Sequence, residues 1–466
     1  MTRVEQLALG CILPGFEGTV PPGWIRRRAA QGLGGVVLFA RNVEADEQVA
    51  ELTAALHAEH PQLVVAIDEE GGDVTRLDAR TGSRYPGNLA LGAAGDPGLT
   101  AQVAASMGAR LAGLGIGLNL APVVDVNSNP QNPIIGVRSF GSDPRAVAEH
   151  AAAWIAGMQG AGVAACAKHF PGHGDTSVDS HVVLPVAQED PHLRALAPFE
   201  AAIDCGVAAI MSAHIVVAAI DELPATISHK VMTELLRGQL GFAGVAITDG
   251  LEMKGLRVGR SVGEAAVLAL VAGCDALCVG GGLSDDSVVE EIVGAIGAAV
   301  DEGRLTSERL AEAASRMARL TRPIGATRHF PTSGEEAAQQ VARRAIRADG
   351  PVRIGDHAAV IRFGSPSSIA AGDIPWGIAA ALVARGVRVT EAETEIAGQA
   401  LVIAVRDLHR DPAHRARIDG LLERRPDAVV VEMGVPACRP PAAKAYIATH
   451  GSARVCADAA AELMHP

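Results

Sequence analysis

Aromatic side chains are scarce: phenylalanine, tryptophan and tyrosine together make up 3% of the 466 residues. So few rings exclude an extended row of stacking platforms along a groove. Positive charge is also in deficit. Forty Lys and Arg stand against 53 Asp and Glu, a formal net charge of -13, which excludes the basic surface that non-specific nucleic-acid binding depends on. No long apolar run is present. The longest uncharged stretch, 151–167, carries three glycines and is too weakly apolar to span a bilayer. The seven cysteines (11, 166, 205, 274, 278, 438 and 456) form an odd, scattered set, mostly inside apolar runs, without paired metal-ligand spacing. Reduced, buried thiols in a reducing compartment are the expectation. Leu7-Ala8-Leu9-Gly10-Cys11 has the outline of a lipoprotein processing site, but only six residues precede Leu7. That is too short for a charged leader and an apolar core. A cytoplasmic chain without nucleic-acid or membrane partners is expected; its oligomeric state is not legible.

What is present is ample apolar material, 48% of residues, in a chain long enough for one large barrel and a smaller companion. Eight β-rich apolar runs recur, at 7–14, 35–40, 63–68, 117–125, 163–169, 208–214, 245–249 and 275–280. They are continuous rather than alternating, as parallel strands buried on both faces require. Amphipathic segments at 46–57, 144–158, 193–204 and 285–301 lie between them. This alternation predicts a (β/α)8 TIM-type barrel over residues 1–325, ending in a helix at 307–320. A polar linker at 326–340 and a small α/β/α sandwich domain at 341–466 follow. The second domain's strands are expected at 358–363, 387–390, 400–405 and 428–433, with helices at 374–385 and 414–424. It holds no glycine-rich phosphate loop, so no cofactor is expected there.

In a barrel, chemistry sits at the carboxyl ends of the strands. Those ends read Asp68-Glu69-Glu70-Gly71-Gly72, Asp125-Val126-Asn127, Lys168-His169, Ser212-Ala213-His214 and Thr248-Asp249-Gly250. Ionisable groups at five successive ends are hard to explain as surface decoration. No flavin, nicotinamide or phosphate motif accompanies them, so side chains alone are expected to do the chemistry. Asp249 closes an apolar run and is either a structural hydrogen-bond acceptor or a catalytic group. Asp179 and His181 are either a loop cap or an acid/base pair in which the carboxylate fixes the imidazole tautomer. His169 and His173 are four apart, but Pro171 and Gly172 exclude the helix that zinc-protease spacing needs. A metal site drawn from His169, His173, Asp175, His181 and His214 is the lesser reading, and His173 reads better as a loop-stabilising hydrogen bond. Lys168 is either a Schiff-base amine or a donor to substrate hydroxyls, the latter preferred. Arg138 is a substrate clamp or a loop-to-loop ion pair. Arg76 is placed to bridge Asp68 and other loops.

These residues resemble the N-acetyl-β-glucosaminidase branch of glycoside hydrolase family 3. The likeness runs from Lys168-His169-Phe170-Pro171-Gly172-His173-Gly174 through Asp179-Ser180-His181. Asp68-Glu69-Glu70-Gly71-Gly72 with Arg76, the 136–141 segment with Arg138, and Thr248-Asp249 follow the family's order as well. The resemblance covers about residues 5–325 and implies that Asp249 is a nucleophile, with His181 the acid/base oriented by Asp179. Asp68, Arg138, Lys168 and His169 would hold sugar hydroxyls, supported by Arg76, with no cofactor or metal. Two positions depart from the family: Asp73 stands where Arg is usual, and Gly250 where a second acid is frequent. The trailing domain is similar to a shortened form of the family's second domain.

The implied activity is retaining, exo-acting removal of terminal N-acetylglucosamine from short muropeptide- or chitin-derived oligosaccharides, in which the lack of aromatic platforms favours short substrates. A phosphorylase on the same sugars is the first alternative, because an imidazole does not repel an anionic acceptor. A metal-dependent barrel hydrolase and a sugar-binding protein without catalysis are further ones.

Overall fold

The computed structural model describes the chain apart from residues 179–183, 188–189, 191–193, 258, 283–284, 321–333 and 365–369. Each of the eight apolar runs contains a strand. In chain order the strands are β1 (Ile12–Pro14), β2 (Gly35–Leu38), β3 (Val64–Ile67), β4 (Leu118–Asn119), β5 (Ala164–Phe170), β6 (Val186–Ala187), β7 (Ala209–Ser212), β8 (Val216–Val217), β9 (Val245–Ile247) and β10 (Leu277–Val279). The short β6 and β8 form a separate parallel ribbon. The other eight build the barrel. β2, β3, β4, β5, β7 and β9 pair side by side, β1 pairs with β10, and an Ile247–Ala276 bridge joins β10 to β9. The interior is filled rather than hollow. Leu13, Val37, Val64, Leu118, Cys166, Met211, Ile247 and Cys278, one from each strand, share one buried cluster, which Met317 and Leu320 join. Layered side chains from every strand are what closes such a barrel into a core.

Two runs, 7–14 and 117–125, fall furthest short of their expected strands, each for a local reason. Residues 7–9 belong to the helix Arg3–Leu9, started by a capping box between Thr2 and Glu5, a signal that outweighs the apolar run beyond it. The run at 117–125 keeps strand geometry only at Leu118–Asn119. Pro122 has no N–H to give to a ladder, and pairing resumes as a single bridge between Val123 and Lys168.

After the barrel comes the helix Gly334–Ala345. Its Ala337, Ala338, Val341, Ala342 and Ala345 are buried in the same cluster as the barrel's helices. Arg344 pairs with Asp96 at 2.6 Å, and Arg347 donates to the Ala93 carbonyl at 2.8 Å. The second domain is one six-stranded sheet, built from β11 (Arg347–Asp349), β12 (His357–Phe363), β13 (Arg388–Glu391), β14 (Ala400–Val405), β15 (Val429–Glu432) and β16 (Ala445–Ala448). Their order is β11-β16-β15-β14-β12-β13, with β11 alone antiparallel. Helices Ala379–Ala384 and Arg454–Met464 cover one face, and Pro412–Arg424 the other. The fold is therefore a (β/α)8 barrel followed by a three-layer α/β/α domain. Among the described residues, no helix is long and apolar enough to cross a membrane.

The amino end of the barrel, away from the strand ends that carry chemistry, is tied by charge. Asp275 is fully buried. It meets Arg309 at 2.8 Å, Arg316 at 3.2 Å and Arg237, and accepts from the Ala246 backbone N–H at 3.0 Å. Three guanidiniums from two helices, Arg237 on one and Arg309 and Arg316 on the other, thus converge on one carboxylate. Neutralising it leaves the largely buried Arg237 without a counter-ion, and Arg309 and Arg316 with Glu312 alone, which costs about 3 kcal/mol. Asp275→Asn should accordingly lower the denaturant midpoint without altering the cavity at the opposite end, as read by chemical unfolding monitored on tryptophan.

Candidate active site

At the carboxyl end of the barrel, Asp68 follows β3, Arg138 lies in the loop after β4, and Lys168 and His169 sit in β5. These residues, with Arg76 and Asp249, line a single cavity of about 550 Å³. The geometry within it is an alternation of charge. Lys168 Nζ meets Asp68 Oδ1 at 2.7 Å and Glu70 Oε1 at 2.8 Å. Arg138 grips Glu70 with both arms, Nε to Oε2 at 2.9 Å and Nη2 to Oε1 at 2.8 Å. Arg76 Nη2 stands 3.7 Å from Asp68 Oδ2. The Lys168 and Glu70 side chains are each 3% exposed, so their charges persist only because they are mutually paired.

Burial would push the Glu70 carboxyl up, but Arg138 and Lys168 outweigh it and hold it well below the usual carboxylate range. Burial likewise works against the cation of Lys168, and Asp68 and Glu70 reverse that, leaving the ammonium more firmly protonated than usual. A group held cationic in this way is not a free amine. The arrangement therefore favours Lys168 as a hydrogen-bond donor over the Schiff-base reading.

The local turn follows from the acid triplet in which Asp68 begins. Glu69 points away from the cavity and is fully buried, its pKa raised by that burial. Its Oε2 accepts from the backbone of Arg76 at 2.8 Å and Leu77 at 3.0 Å, folding the loop back on itself. Gly72 has φ +61, and a Cβ there would lie 2.5 Å from the Gly87 Cα, so the close crossing of the two segments requires glycine.

His169 is oriented by Asp125, whose Oδ2 meets Nδ1 at 2.8 Å. Asp125 also accepts from the His173 backbone N–H at 2.6 Å. Burial opposes the Asp125 charge, and His169 and these hydrogen bonds hold its pKa below the ordinary value nonetheless. A carboxylate accepting from Nδ1–H fixes the tautomer and leaves Nε2 as the acceptor. His173 behaves as read from sequence: its Nδ1 meets Thr176 Oγ1 at 2.7 Å, and burial pushes its pKa down to about 4. Asp249 stands just past β9, with Oδ1 accepting from the Gly250 N–H at 2.8 Å. Its neighbourhood is braced on both sides. His214 Nε2 meets the Gly250 carbonyl at 3.0 Å while its Nδ1 meets Thr226 at 2.7 Å, and Leu251 N–H donates to the Cys278 carbonyl at 3.0 Å.

The structure thus brings together Asp68, Arg76, Arg138, Lys168, His169 and Asp249. Asp179 and His181 lie outside the described residues. The ring nitrogens of His214 are both engaged, and among the described residues no three His, Cys, Asp or Glu are grouped as a metal-ligand set. Residues that sequence reasoning did not single out as site members also line the cavity. Glu70 organises the two cations. Glu252 accepts from the backbone of Gly280 at 3.2 Å and of Gly281, joining the loops after β9 and β10. Arg41 donates to the Gly280 carbonyl at 2.5 Å. Ala370 and Gly372 come from the second domain, where Arg76 Nη2 donates to the Ala370 carbonyl at 3.0 Å. For Glu70 a signal existed in the acid triplet; for Ala370 and Gly372 none did.

Residues 27–320 match the model of the glycosyl hydrolase family 3 N terminal domain. The β-hexosaminidase A of Pseudoalteromonas piscicida is 36% identical in an alignment 331 residues long that covers 65% of this chain but only 55% of that protein's length. The chain superposes along 100% of its length on a glycoside hydrolase family 3 β-N-acetylglucosaminidase from Paenibacillus sp. str. FPU-7, covering 97% of it, with TM-score 0.88 and 31% identity. It also covers 98% of NagZ from Neisseria gonorrhoeae, in complex with N-trifluoroacetyl-D-glucosamine, over 67% of its own length, with TM-score 0.56 and 31% identity. Barrel, strand-end carboxylates and these likenesses agree: the chain belongs to glycoside hydrolase family 3 and is a glycoside hydrolase of the β-hexosaminidase type.

Proposed function

We propose that this enzyme is a retaining, exo-acting β-N-acetylglucosaminidase that removes terminal N-acetylglucosamine from short muropeptide- or chitin-derived oligosaccharides. One observation carries the reading. A carboxylate at a strand end, Asp249, shares a cavity with the charged set Asp68, Arg138, Lys168 and His169, in a chain similar throughout its length to a β-N-acetylglucosaminidase. The volume of about 550 Å³ falls in the range of sites that enclose one small ligand. The N-acetylglucosamine analogue held by the gonococcal relative supports the same sugar here. The seven cysteines, all free and five of them buried, fit a cytoplasmic setting.

In this mechanism the paired groups hold the sugar's hydroxyls while Asp249 attacks the anomeric carbon. His181, oriented by Asp179, protonates the departing oxygen from the opposite face. The bond from C1 to the leaving oxygen breaks as the bond from C1 to the carboxylate forms. Neutral imidazole then takes a proton from water, whose oxygen displaces Asp249 and restores the β-configuration. An unperturbed histidine titrates near ~6.5, so both of its states are populated near neutrality.

Three outcomes are expected. Chromogenic β-N-acetylglucosaminide should be cleaved far faster than the β-glucoside, and free sugar rather than sugar 1-phosphate should accumulate in phosphate buffer; equal rates on the two glycosides contradict the substrate assignment. His181→Ala should lose about 100-fold or more on substrates with poor leaving groups and much less on activated aryl glycosides. Equal losses on both would remove the acid role. Glu70→Gln should raise KM about tenfold with a smaller change in kcat, because Lys168 and Arg138 lose the anion that fixes them.

A further inference from the structure

The loop after β3 touches the second domain at two points three residues apart, and both lead to one segment. At the first, Asp73 is 9% exposed. Its Oδ1 accepts from the Ser452 backbone N–H at 3.1 Å and the Ser452 hydroxyl at 2.8 Å, and its Oδ2 meets Arg406 Nη2 at 2.8 Å. Arg406, just past β14, also lies over the Trp376 ring at 5.2 Å, and Arg362 stacks on the same ring at 5.4 Å. Trp376 packs against the second domain's core, and Gly364 passes so close that a Cβ there would lie 2.4 Å from the indole. At the second point, Arg76 donates to the Ala370 carbonyl while facing Asp68. Ala370 and Gly372, which line the cavity, and Trp376 belong to one stretch of chain.

The circuit closes: Asp73 to Arg406, Arg406 to Trp376, Trp376 along the backbone to Ala370, and Ala370 to Arg76. We propose that Asp73 is a positioning residue that locks the second domain's 370–378 segment against the barrel as one wall of the sugar cavity. An arginine at this position would stand against Arg406 with like sign and could not make the contact. The wall abuts the Asp68 and Arg76 side of the cavity, where hydroxyls rather than the scissile bond are held, so its loosening weakens sugar binding more than bond cleavage. This inference rests on the proposed glycosidase reading, whereas the clamp itself is measurable without sugar.

The experiment uses the full chain with Arg406→Ala, Arg406→Lys and Ser452→Ala. Hydrogen–deuterium exchange read by mass spectrometry should show 370–378 exchanging about tenfold faster in Arg406→Ala, with β14 and β15 unchanged. On chromogenic β-N-acetylglucosaminide, KM should rise about tenfold while kcat stays within about threefold, and Arg406→Lys should recover most of the loss. Ser452→Ala should move both readings the same way by less, and it decides the matter if Arg406→Ala does not fold. Unchanged exchange overturns the clamp. Faster exchange with unchanged KM overturns the wall. Parallel loss of kcat and KM with a lowered unfolding midpoint marks a merely structural contact and overturns the proposal too. Should the wild type cleave no β-N-acetylglucosaminide, the functional reading fails, and the exchange arm alone decides the clamp.

Discussion

Lys168, held between Asp68 and Glu70, with Arg138 on the far side of Glu70, is the interaction on which the site depends. Charges this far from water are tolerated only when each has a partner at hydrogen-bond distance. Those partners come from the ends of β3 and β5 and the loop after β4, which meet only if the strands lie in barrel order. The pairing therefore couples the fold to the site. It fixes the donors and acceptors in place at the cavity, so a ligand entering there does not first have to order a side chain.

The opposite end of the barrel uses the same physics for a different end. Asp275 gathers Arg237 from one helix and Arg309 and Arg316 from another, at the end of the barrel away from the cavity. At the cavity, by contrast, each ion pair keeps an edge toward the space where a sugar would sit. Loops from both domains complete that space, since the helix Gly334–Ala345 buries its apolar face in the barrel's own cluster rather than hanging from it.

How much of this was legible in the sequence follows from the range of the forces involved. Continuous apolar runs reported strands buried on both faces, because that burial is written into each short segment. Asp68, Lys168, His169 and Asp249, which line one cavity, are legible as strand-end groups because they punctuate those runs. Sequence does not distinguish Glu70 from Glu69: in the triplet Asp68-Glu69-Glu70, only the turn at Gly71 and Gly72 decides which carboxylate faces the cavity and which braces Arg76 and Leu77. The shortening of β4 was legible in principle from Pro122. The role of Ala370 and Gly372 was not, since it depends on docking across nearly three hundred residues of separation, and neither side chain carries chemistry that would announce it.

In the proposed mechanism Asp249 is the group that bonds to the anomeric carbon. The most direct test is to incubate the enzyme with a fluorinated N-acetylglucosamine-type glycoside that stalls the second step, digest it, and locate the added mass. A single label on the peptide containing Asp249, absent in Asp249→Asn, is the predicted result. A label on any other side chain, or stoichiometric turnover with no trapped species in the wild type, would contradict it.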